Sequence, residues 1–292
     1  MRLTNFHNLP DIVVDALSTN HYSRGESDIS ITSLIDSPKV KLLQEKHDDE
    51  MEQDVSEMIW SSFGTAVHHL FEERAGLHGE DVISEERIFA ESNGWTISGA
   101  IDLQQIEDGA IIISDYKVTS VWSVIFGKKE WETQLNCYAG LVRMAKQMPV
   151  KELRIIAVLR DWQRRKAQME DTYPQSPITV VNIPMWSEQE AFDYLDSRVK
   201  LHQSASFEAQ TNGVLPQCSP QERWQKDTTY AVMKKNRVRA IKIHTVEKEA
   251  ESHASFLGKD HFVEERLGEA TRCTQNWCGV AKWCDQYQGS LN

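Results

Sequence analysis

The spacing of hydrophobic positions changes from helical to strand-like near residue 76. Between residues 50 and 75, apolar side chains recur every three or four positions, which predicts a long helix. Three segments with strand-like patterns follow, separated by turn formers such as Asn93-Gly94. The predicted elements are a helix at 50–75, strands at 82–90, 95–103 and 110–118, a helix at 131–147 and a strand at 153–159.

This order of elements predicts an α/β fold, with a central mixed β-sheet flanked by helices. A turn and a short amphipathic helix at 30–43 precede the core. Downstream, the sequence predicts a helix that begins at a Ser187 cap with Glu190 three residues later. A basic hairpin around Lys235-Asn236-Arg237 and a further helix follow. These downstream elements span residues 187–205, 229–244 and 247–257.

We expect three consecutive regions in the 292 residues. A helical lead-in occupies residues 1–53 and the α/β core residues 54–186. Residues 187–292 form an accessory region with helices, the basic hairpin and a cysteine-rich C-terminus. The chain is long enough for such a core with an appended module.

Charge and hydropathy narrow the function classes. No apolar run reaches the roughly 18 residues of a membrane span, and the N-terminus lacks a signal-peptide pattern, so a cytoplasmic protein without membrane contact is expected. The net charge of −12 argues against a protein that coats nucleic acid with its whole surface. Residues 143–170 nevertheless carry eight basic and three acidic side chains, which form either a local DNA contact or a solvated face.

Four spaced motifs lie in order between residues 64 and 138. They are Gly64-x-x-x-His68, Asp102, Asp115-Tyr116-Lys117 and Gln134-x-x-x-Tyr138, with the aspartates on neighbouring predicted strands. Asp115 and Lys117 share one face of their strand because side chains alternate along it. We therefore expect both aspartates and Lys117 to converge at strand ends, with His68 and Gln134 approaching from helices.

This set of side chains has the chemistry of a phosphodiester-cutting metal site. Carboxylates bind Mg²⁺ or Mn²⁺, and a histidine nitrogen favours Mn²⁺. Lys117 would orient the attacking water or stabilise charge on the phosphate, and Gln134 and Tyr138, one helical turn apart, would face the lysine and the DNA backbone. Taken singly, the motifs have plainer explanations, such as a core histidine at 68 or an exposed Asp115–Lys117 ion pair.

Together these residues resemble the PD-(D/E)xK nuclease superfamily, and within it the RecB-like branch, over about residues 30 to 160. The resemblance implies a restriction-endonuclease-like core and a metal-dependent deoxyribonuclease. By resemblance, metal would be bound by His68, Asp102, Asp115 and the backbone carbonyl of Tyr116, and the catalytic set would be Lys117, Asp115, Asp102, Gln134 and Tyr138. A further acidic residue of the branch corresponds to Glu86 or, equally well, to Glu85.

The downstream half is similar to phage-encoded or prophage-encoded members of this branch, through Cys218-Ser219-Pro220 and Glu222-Arg223-Trp224. That similarity implies an exonuclease or DNA-end processor in recombination or repair, in a bacterial host or phage-infected cell. Its partners would be DNA and a recombination protein, such as a single-strand-annealing protein. The alternatives are a non-catalytic DNA-binding recombination scaffold and a site-specific endonuclease on the same core.

The five cysteines are an odd number and fit reduced thiols or metal ligands better than a disulfide framework. Related nucleases hold an iron–sulfur cluster through one upstream and three C-terminal cysteines; here Ser37-Pro38 stands at the upstream place, and Cys218 is the replacement. Cys218, Cys273, Cys278 and Cys284 could bind a [4Fe–4S] cluster or Zn²⁺, or remain buried thiols. Cys137 is expected to be a packed core residue.

Two tryptophans and two lysines surround the loop that follows the strand of Lys117. Trp122 and Trp131, with Lys128 and Lys129, could stack on unpaired bases while the lysines hold phosphate. The alternative is that both tryptophans simply pack into the fold.

Overall fold

The structure is a computed structural model that describes residues 1–19 and 25–288. The chain divides into two compact units. The first unit comprises Met1–Asp36 and His47–Gly213, and the second comprises Ser37–Lys46 and Val214–Asn292. Among the helices of the described residues, none is both long and apolar enough to cross a membrane.

Helices and strands alternate along most of the chain. The helices are α1 (Asp11–Ser18), α2 (Ile31–Ile35), α3 (Pro38–His47), α4 (Ile59–Ala75), α5 (Val121–Phe126), α6 (Lys129–Lys146), α7 (Arg164–Met169), α8 (Glu188–Asn212), α9 (Glu247–Leu257), α10 (Thr271–Thr274) and α11 (Asp285–Gln288). The strands are β1 (Arg2–Thr4), β2 (Ile29–Ser30), β3 (Glu52–Asp54), β4 (Val82–Ser92), β5 (Trp95–Glu107), β6 (Ala110–Thr119), β7 (Val150–Leu159), β8 (Ile178–Ile183), β9 (Thr229–Lys234), β10 (Lys242–His244) and β11 (His261–Arg266).

The first unit is built on a six-stranded mixed sheet. Its order is β2-β5-β6-β7-β8, and β4 pairs with β5 as well. The pairs β4–β5, β5–β6 and β7–β8 are antiparallel, whereas β2–β5 and β6–β7 are parallel. The predicted α/β class with a mixed sheet flanked by helices is therefore confirmed, and the structure adds β8 as an edge strand.

The core of the first unit lies between the sheet and α6. Ile111 and Ile113 of β6 and Leu135 of α6 have no exposed surface. On β6 these isoleucines share a face with Asp115, because side chains alternate along a strand. Tyr116 points to the opposite face, where its ring lies 4.7 Å from the ring of Phe71 on α4. The site-bearing strand is thus held between two helices.

Helix α8 belongs to the first unit, so the unit ends at Gly213 and not at the predicted residue 186. Leu195 and Val199 of α8 are buried in the same hydrophobic core as the sheet. The predicted Ser187–Glu190 capping box is present and begins this helix. The first unit extends beyond residue 186 because the apolar face of α8 packs on the hydrophobic core of that unit.

The long helix predicted for residues 50–75 is shorter than expected. Strand β3 and a 3₁₀ turn at Val55–Met58 replace its first part, and α4 begins at Ile59. Along the apolar positions of α4, Val67 is buried, but Ile59, Phe63 and Leu70 are 46%, 42% and 54% exposed. The stripe that resembles a core-facing surface is therefore largely open to solvent.

The second unit contains a three-stranded antiparallel sheet in the order β10-β9-β11. The predicted hairpin exists as β9 and β10, although β10 begins four residues later than predicted. Helix α9 packs on this sheet through Ala250 and Ala254. A separate apolar cluster joins Val40 and Leu43 of α3 to Val280 and Cys284 near the C-terminus. This is why α3 belongs to the second unit.

Candidate functional site

A gap in the sheet forms the centre of the candidate site. The ladder between β5 and β6 runs from Glu107↔Ala110 to Leu103↔Ser114, and β2 pairs with β5 only at Ile97 and Ser98. Asp102 and Asp115 stand one residue beyond the last β5–β6 pair. The backbone N–H of Tyr116 donates to Asp102 Oδ2 at 2.6 Å, so a side chain replaces the ladder partner there.

Asp115 and Lys117 project from β6 into this gap as predicted. Lys117 Nζ lies 2.5 Å from Asp115 Oδ2. Gln134 of α6 donates through Nε2 to Asp115 Oδ1 at 3.2 Å and to the hydroxyl of Tyr138 at 2.9 Å. Tyr138 is only 4% exposed. The Gln-x-x-x-Tyr pair therefore fixes the orientation of the Asp115 carboxylate from the helix side.

The position of Tyr138 depends on a glycine in β5. A Cβ added at Gly99 would lie 2.7 Å from Tyr138 Cε1, which is closer than real Cβ contacts. The missing side chain lets α6 approach the sheet and brings Gln134 within reach of the strand end. Sequence reasoning did not identify Gly99 as part of the site.

His68 reaches the site from α4, one helical turn after Gly64. Its Nε2 lies 3.1 Å from the carbonyl oxygen of Tyr116 and 3.7 Å from Asp102 Oδ2. Its Nδ1 lies 3.2 Å from Glu85 Oε1. The expected approach of His68 to the strand ends is thereby observed.

Glu85, and not Glu86, is the third acidic side chain of the site. By the register of its neighbours it stands opposite Asp102, and its φ of +50° is unusual for a residue other than glycine. Glu86 points away and pairs with Lys146 and with the side chain of Gln104. Residues with such strained backbone angles cluster at active sites and ligand-binding sites, which is consistent with a functional role for Glu85.

These side chains line one cavity of about 250 Å³. The residues that the motifs predicted and that line it are His68, Asp102, Asp115, Lys117, Gln134 and Tyr138. Among the described residues, His68, Glu85 and Asp102 offer ligand atoms that all lie within 4.8 Å of one another. The compact ligand set thus contains Glu85, which the predicted set of His68, Asp102, Asp115 and Tyr116 lacked.

The charges in the cavity shift one another's pKa values. Burial, followed by the charge of Asp115, raises the pKa of Asp102 to about 7. Burial alone would lower the pKa of His68, but the hydrogen bond to Glu85 and the charge of Asp102 outweigh it and raise the pKa to about 9. The pKa of Lys117 is raised because the charges of Asp115 and Asp102 outweigh its burial. A bound cation would relieve this crowding of carboxylates.

A cation that belongs to none of the motifs lies beside the acidic side chains. Arg87 lines the same cavity and donates to Ser98 Oγ at 3.2 Å. It lies two residues after Glu85 on β4, so both side chains share a face. Choosing Glu85 rather than Glu86 as the acidic residue of β4 would have pointed to Arg87, because residues two apart share a face of a strand.

The second unit contains a larger cavity, of about 640 Å³, lined by Cys218, Cys273, Cys278 and Cys284. Cys218 Sγ lies 3.2 Å from the hydroxyl of Ser37. Burial raises the pKa of Cys218 to about 11. Burial and the neighbouring Cys278 and Cys284 likewise raise the pKa of Cys273. The four cysteines therefore line one cavity. Cys137, by contrast, is buried in the first unit as expected.

The comparisons with known proteins are sparse. No family model matches the chain, and no curated protein matches it. Among solved structures, the chain is similar to the crystal structure of SSO0001, with a TM-score of 0.44 and 14% identity over 65% of this chain and 85% of that one. A likeness this distant carries no functional argument, so function has to be argued from the site itself.

Proposed function

We propose that the chain is a metal-dependent deoxyribonuclease of the PD-(D/E)xK, RecB-like kind with a restriction-endonuclease-like core. The observation that carries the proposal is the convergence of all the spaced motifs on one cavity. His68, Asp102, the Asp115–Lys117 pair and Gln134 come from two helices and two strands yet line the same 250 Å³ space. If each motif had only a structural role of its own, there would be no reason for all of them to line one cavity.

The donor set suits Mg²⁺ or Mn²⁺, with His68 favouring Mn²⁺. Such an ion supplies an activated water and neutralises charge on the phosphate. His68, Asp102 and Asp115 would hold it, joined by Glu85 and the Tyr116 carbonyl. The crowded carboxylates support this assignment, since burial and Asp115 raise the pKa of Asp102.

Lys117 is the catalytic residue of the proposal. Its ammonium lies beside Asp115 at the mouth of the sheet gap, where it can hydrogen-bond the attacking water or a phosphate oxygen. Gln134 holds Asp115 in place through Oδ1, and Tyr138 accepts a hydrogen bond from Gln134. These two are positioning residues because their contacts are to protein groups.

We further propose that the enzyme acts as an exonuclease or DNA-end processor in recombination or repair. With a net charge of −12, the chain must bind DNA through local basic surface. A recombination protein, such as a single-strand-annealing protein, is the partner that this role implies.

Lys117→Ala tests the activity, with Lys146→Ala as a matched control. Both lysines form ion pairs in the first unit, but Lys146 pairs with Glu86 away from the cavity. Purified proteins are incubated with linear, closed circular and single-stranded DNA and titrated with Mg²⁺ or Mn²⁺. We expect the wild type and Lys146→Ala to cut with a need for free ends, and Lys117→Ala to be inactive.

Removing Lys117 leaves the carboxylate of Asp115 buried without its partner, which costs about 3–5 kcal/mol for such pairs. Circular dichroism and DNA binding are therefore measured for each variant, and Asp102→Asn provides a second inactive variant. Retained cutting by a folded Lys117→Ala protein would contradict the assignment. Binding without any cutting by the wild type would favour a recombination scaffold, and cutting of closed circles at one sequence a site-specific endonuclease.

We also propose that the cysteine cavity holds a [4Fe–4S] cluster. A zinc tetrahedron needs sulfurs about 3.8 Å apart, whereas no three cysteine sulfurs of the described residues lie within 4.8 Å of one another. The larger cluster fits a cavity of about 640 Å³, whose wall carries Arg223 and a Lys39 that already pairs with Asp285. Cys218 takes the role of the missing upstream ligand.

The cluster is tested on anaerobically purified full-length protein by iron, sulfide and zinc analysis and visible absorbance. Cys218→Ser should lose the iron, whereas Cys137→Ser should keep it. Because Ser37 touches Cys218, the double variant Ser37→Cys with Cys218→Ser should regain it. Zinc in place of iron, or equal iron content in Cys218→Ser and the wild type, would overturn the proposal.

A further inference from the structure

Three aromatic side chains of the first unit are exposed beside the nuclease cavity. Trp60 is 55% exposed, Trp122 52% and Phe126 78%. Trp131 is only 5% exposed and packs in the core, so for this residue the alternative of simple packing holds and base stacking does not. Large exposed rings grouped in one region mark an interaction surface more often than chance exposure does.

Each exposed tryptophan is accompanied by a cation. The guanidinium of Arg160 lies 4.7 Å from the ring centre of Trp60. Lys166 Nζ lies 5.9 Å from the ring centre of Trp122. Trp122 and Phe126 are stacked, with ring centres 5.7 Å apart and planes inclined by 14°. We call these five residues the aromatic platform.

The platform is joined to the catalytic strand. The backbone N–H of Arg160 donates to the carbonyl of Thr119 at 3.0 Å. Asp161 accepts from Val121 N at 2.7 Å, which ties the Arg160 turn to the start of α5. Thr119 follows Lys117 by two residues on β6, or about 7 Å at the rise of a strand. The backbone of Arg160 is therefore hydrogen-bonded to β6 at a point two residues, or about 7 Å, beyond the catalytic lysine.

Helix α4 provides a second connection. Trp60, Gly64 and His68 lie at i, i+4 and i+8 and follow one ridge of the helix. A Cβ added at Gly64 would meet no atom within 4 Å, so the space above it is open. The ridge leads from the platform to the metal-binding histidine across a smooth helical surface about 12 Å long.

The charge of this surface suits phosphate. Six basic residues lie on the platform or in the segments that carry it, and within the part of the chain that the structure describes none of them forms a salt bridge. They are Lys128, Lys129, Arg160, Arg164, Arg165 and Lys166. Several other basic residues near them in sequence are paired, for example Arg154 with Glu152. An acidic chain thus keeps a local basic surface around its exposed rings.

We propose that the aromatic platform binds single-stranded DNA next to the cleavage site. Rings stack on unpaired bases while the cations hold the backbone, and duplex DNA offers no free base faces. The proposal rests on the proposed nuclease function, whose substrate it specifies: an unpaired strand that passes from the platform over Gly64 to His68.

Binding is measured by fluorescence anisotropy in EDTA, so that it does not depend on cutting. The probes are an oligothymidylate, an abasic oligomer of equal length and a duplex. The variants are Trp60→Ala, Trp122→Ala and their double, with Phe207→Ala as control because Phe207 is 63% exposed on α8 of the same unit. Thermal unfolding verifies that each variant is folded.

We expect the wild type to bind oligothymidylate more tightly than the abasic oligomer. Each tryptophan variant should lose roughly 5- to 100-fold in affinity for oligothymidylate and little for the abasic oligomer, because stacking is removed and phosphate contacts remain. Trp122→Phe should restore most of the loss. Phe207→Ala should bind like the wild type.

Two results would overturn the platform: equal binding of the abasic and normal oligomers, or equal affinity for double variant and wild type. Binding of a lipid or protein through these rings, together with no binding of single-stranded DNA, would also show that the surface has a different ligand. If the wild type binds single strands through the tryptophans yet never cuts, the platform stands and the nuclease proposal fails. If the wild type cuts DNA but the tryptophan variants bind single strands as tightly as it does, the nuclease proposal stands and the platform fails.

Discussion

Proton release on metal binding follows from the electrostatics of the cavity. His68 has its pKa raised to about 9, chiefly because the hydrogen bond to Glu85 and the charge of Asp102 outweigh its burial. The pKa of Asp102 is raised to about 7 by burial and by Asp115. A divalent ion at these atoms must displace their protons. Its affinity should therefore depend steeply on pH.

The size of the effect can be worked out from the two values. At pH 7.5, a group with a pKa of about 9 is almost fully protonated, so removing its proton costs about 2 kcal/mol. His68 and Asp102 together should release about 1.9 protons per ion at pH 6, about 1.2 at pH 7.5 and about 0.8 at pH 8.5.

Calorimetric titration with Mn²⁺, in buffers of equal pH but different ionisation enthalpy, counts these protons. His68→Gln should lose most of the release at pH 8.5, where Asp102 is already ionised. His69→Gln is the matched control because His69 is the next residue on α4 and faces Glu72 outside the cavity. Release below about 0.2 protons at pH 7.5, or an equal loss in both variants, would refute the reasoning.

The same pKa values give the metal-free protein a defined pH dependence. His68 has a folded pKa of about 9 against the ordinary 6.5, so its protonation contributes stability below pH 6.5 that is lost as pH rises through 9. The contribution of Asp102 is present below pH 3.8 and is lost as pH rises through about 7. In EDTA the Tm should fall between pH 6 and pH 9, and the increase on adding Mn²⁺ should grow over that range.

Three substitutions test the construction of the site. Gly64→Ala should raise the free energy of unfolding by up to about 1 kcal/mol, because Gly64 is helical and a Cβ there would meet no atom; denaturant unfolding measures this. The same substitution should lower DNA cutting in a nuclease assay if a DNA strand crosses Gly64. Gly99→Ala should cost about 1–3 kcal/mol in chemical unfolding, because its Cβ would overlap Tyr138; an unchanged midpoint would contradict the packing. Glu85→Gln should lower the pKa of His68 from about 9, measured by NMR titration, since it removes a hydrogen bond and a charge that raise it.

Apolar runs bounded by turn formers were sufficient to place several elements. The strands β4, β5 and β6 and the helix α6 follow their predicted ranges closely, although β6 is buried at six consecutive positions and α6 at eight. The helical spacing was misleading before α4, where residues 50–58 form β3 and a 3₁₀ turn. Ile59 and Phe63 have helical spacing but remain exposed, because the surface they form faces solvent rather than the core. Spacing shows which residues share a face but not what covers that face.

The site was predictable where chemistry and parity agreed, as at Asp115 and Lys117. It was not predictable where a local backbone feature decides direction. Glu85 and Glu86 are adjacent and chemically equivalent in sequence, and the positive φ at Glu85 is visible only in the structure. The proximity of Ser37 to Cys218 joins positions 181 apart, a separation that no local pattern could bridge.

The gap between β2 and β6 along β5 links the fold to the proposed chemistry. A continuous ladder would satisfy the backbone of Tyr116 and seal the sheet, whereas here Asp102 accepts from the Tyr116 N–H at 2.6 Å while His68 approaches the Tyr116 carbonyl. Both backbone groups are thereby turned toward side chains of the cavity. Because the strands diverge only after Leu103↔Ser114, the two aspartates are held by the sheet on one side and face the cavity on the other. A cation-binding site at such a divergence is rigid without being closed, which is the property that a metal-dependent nuclease needs to admit a DNA strand.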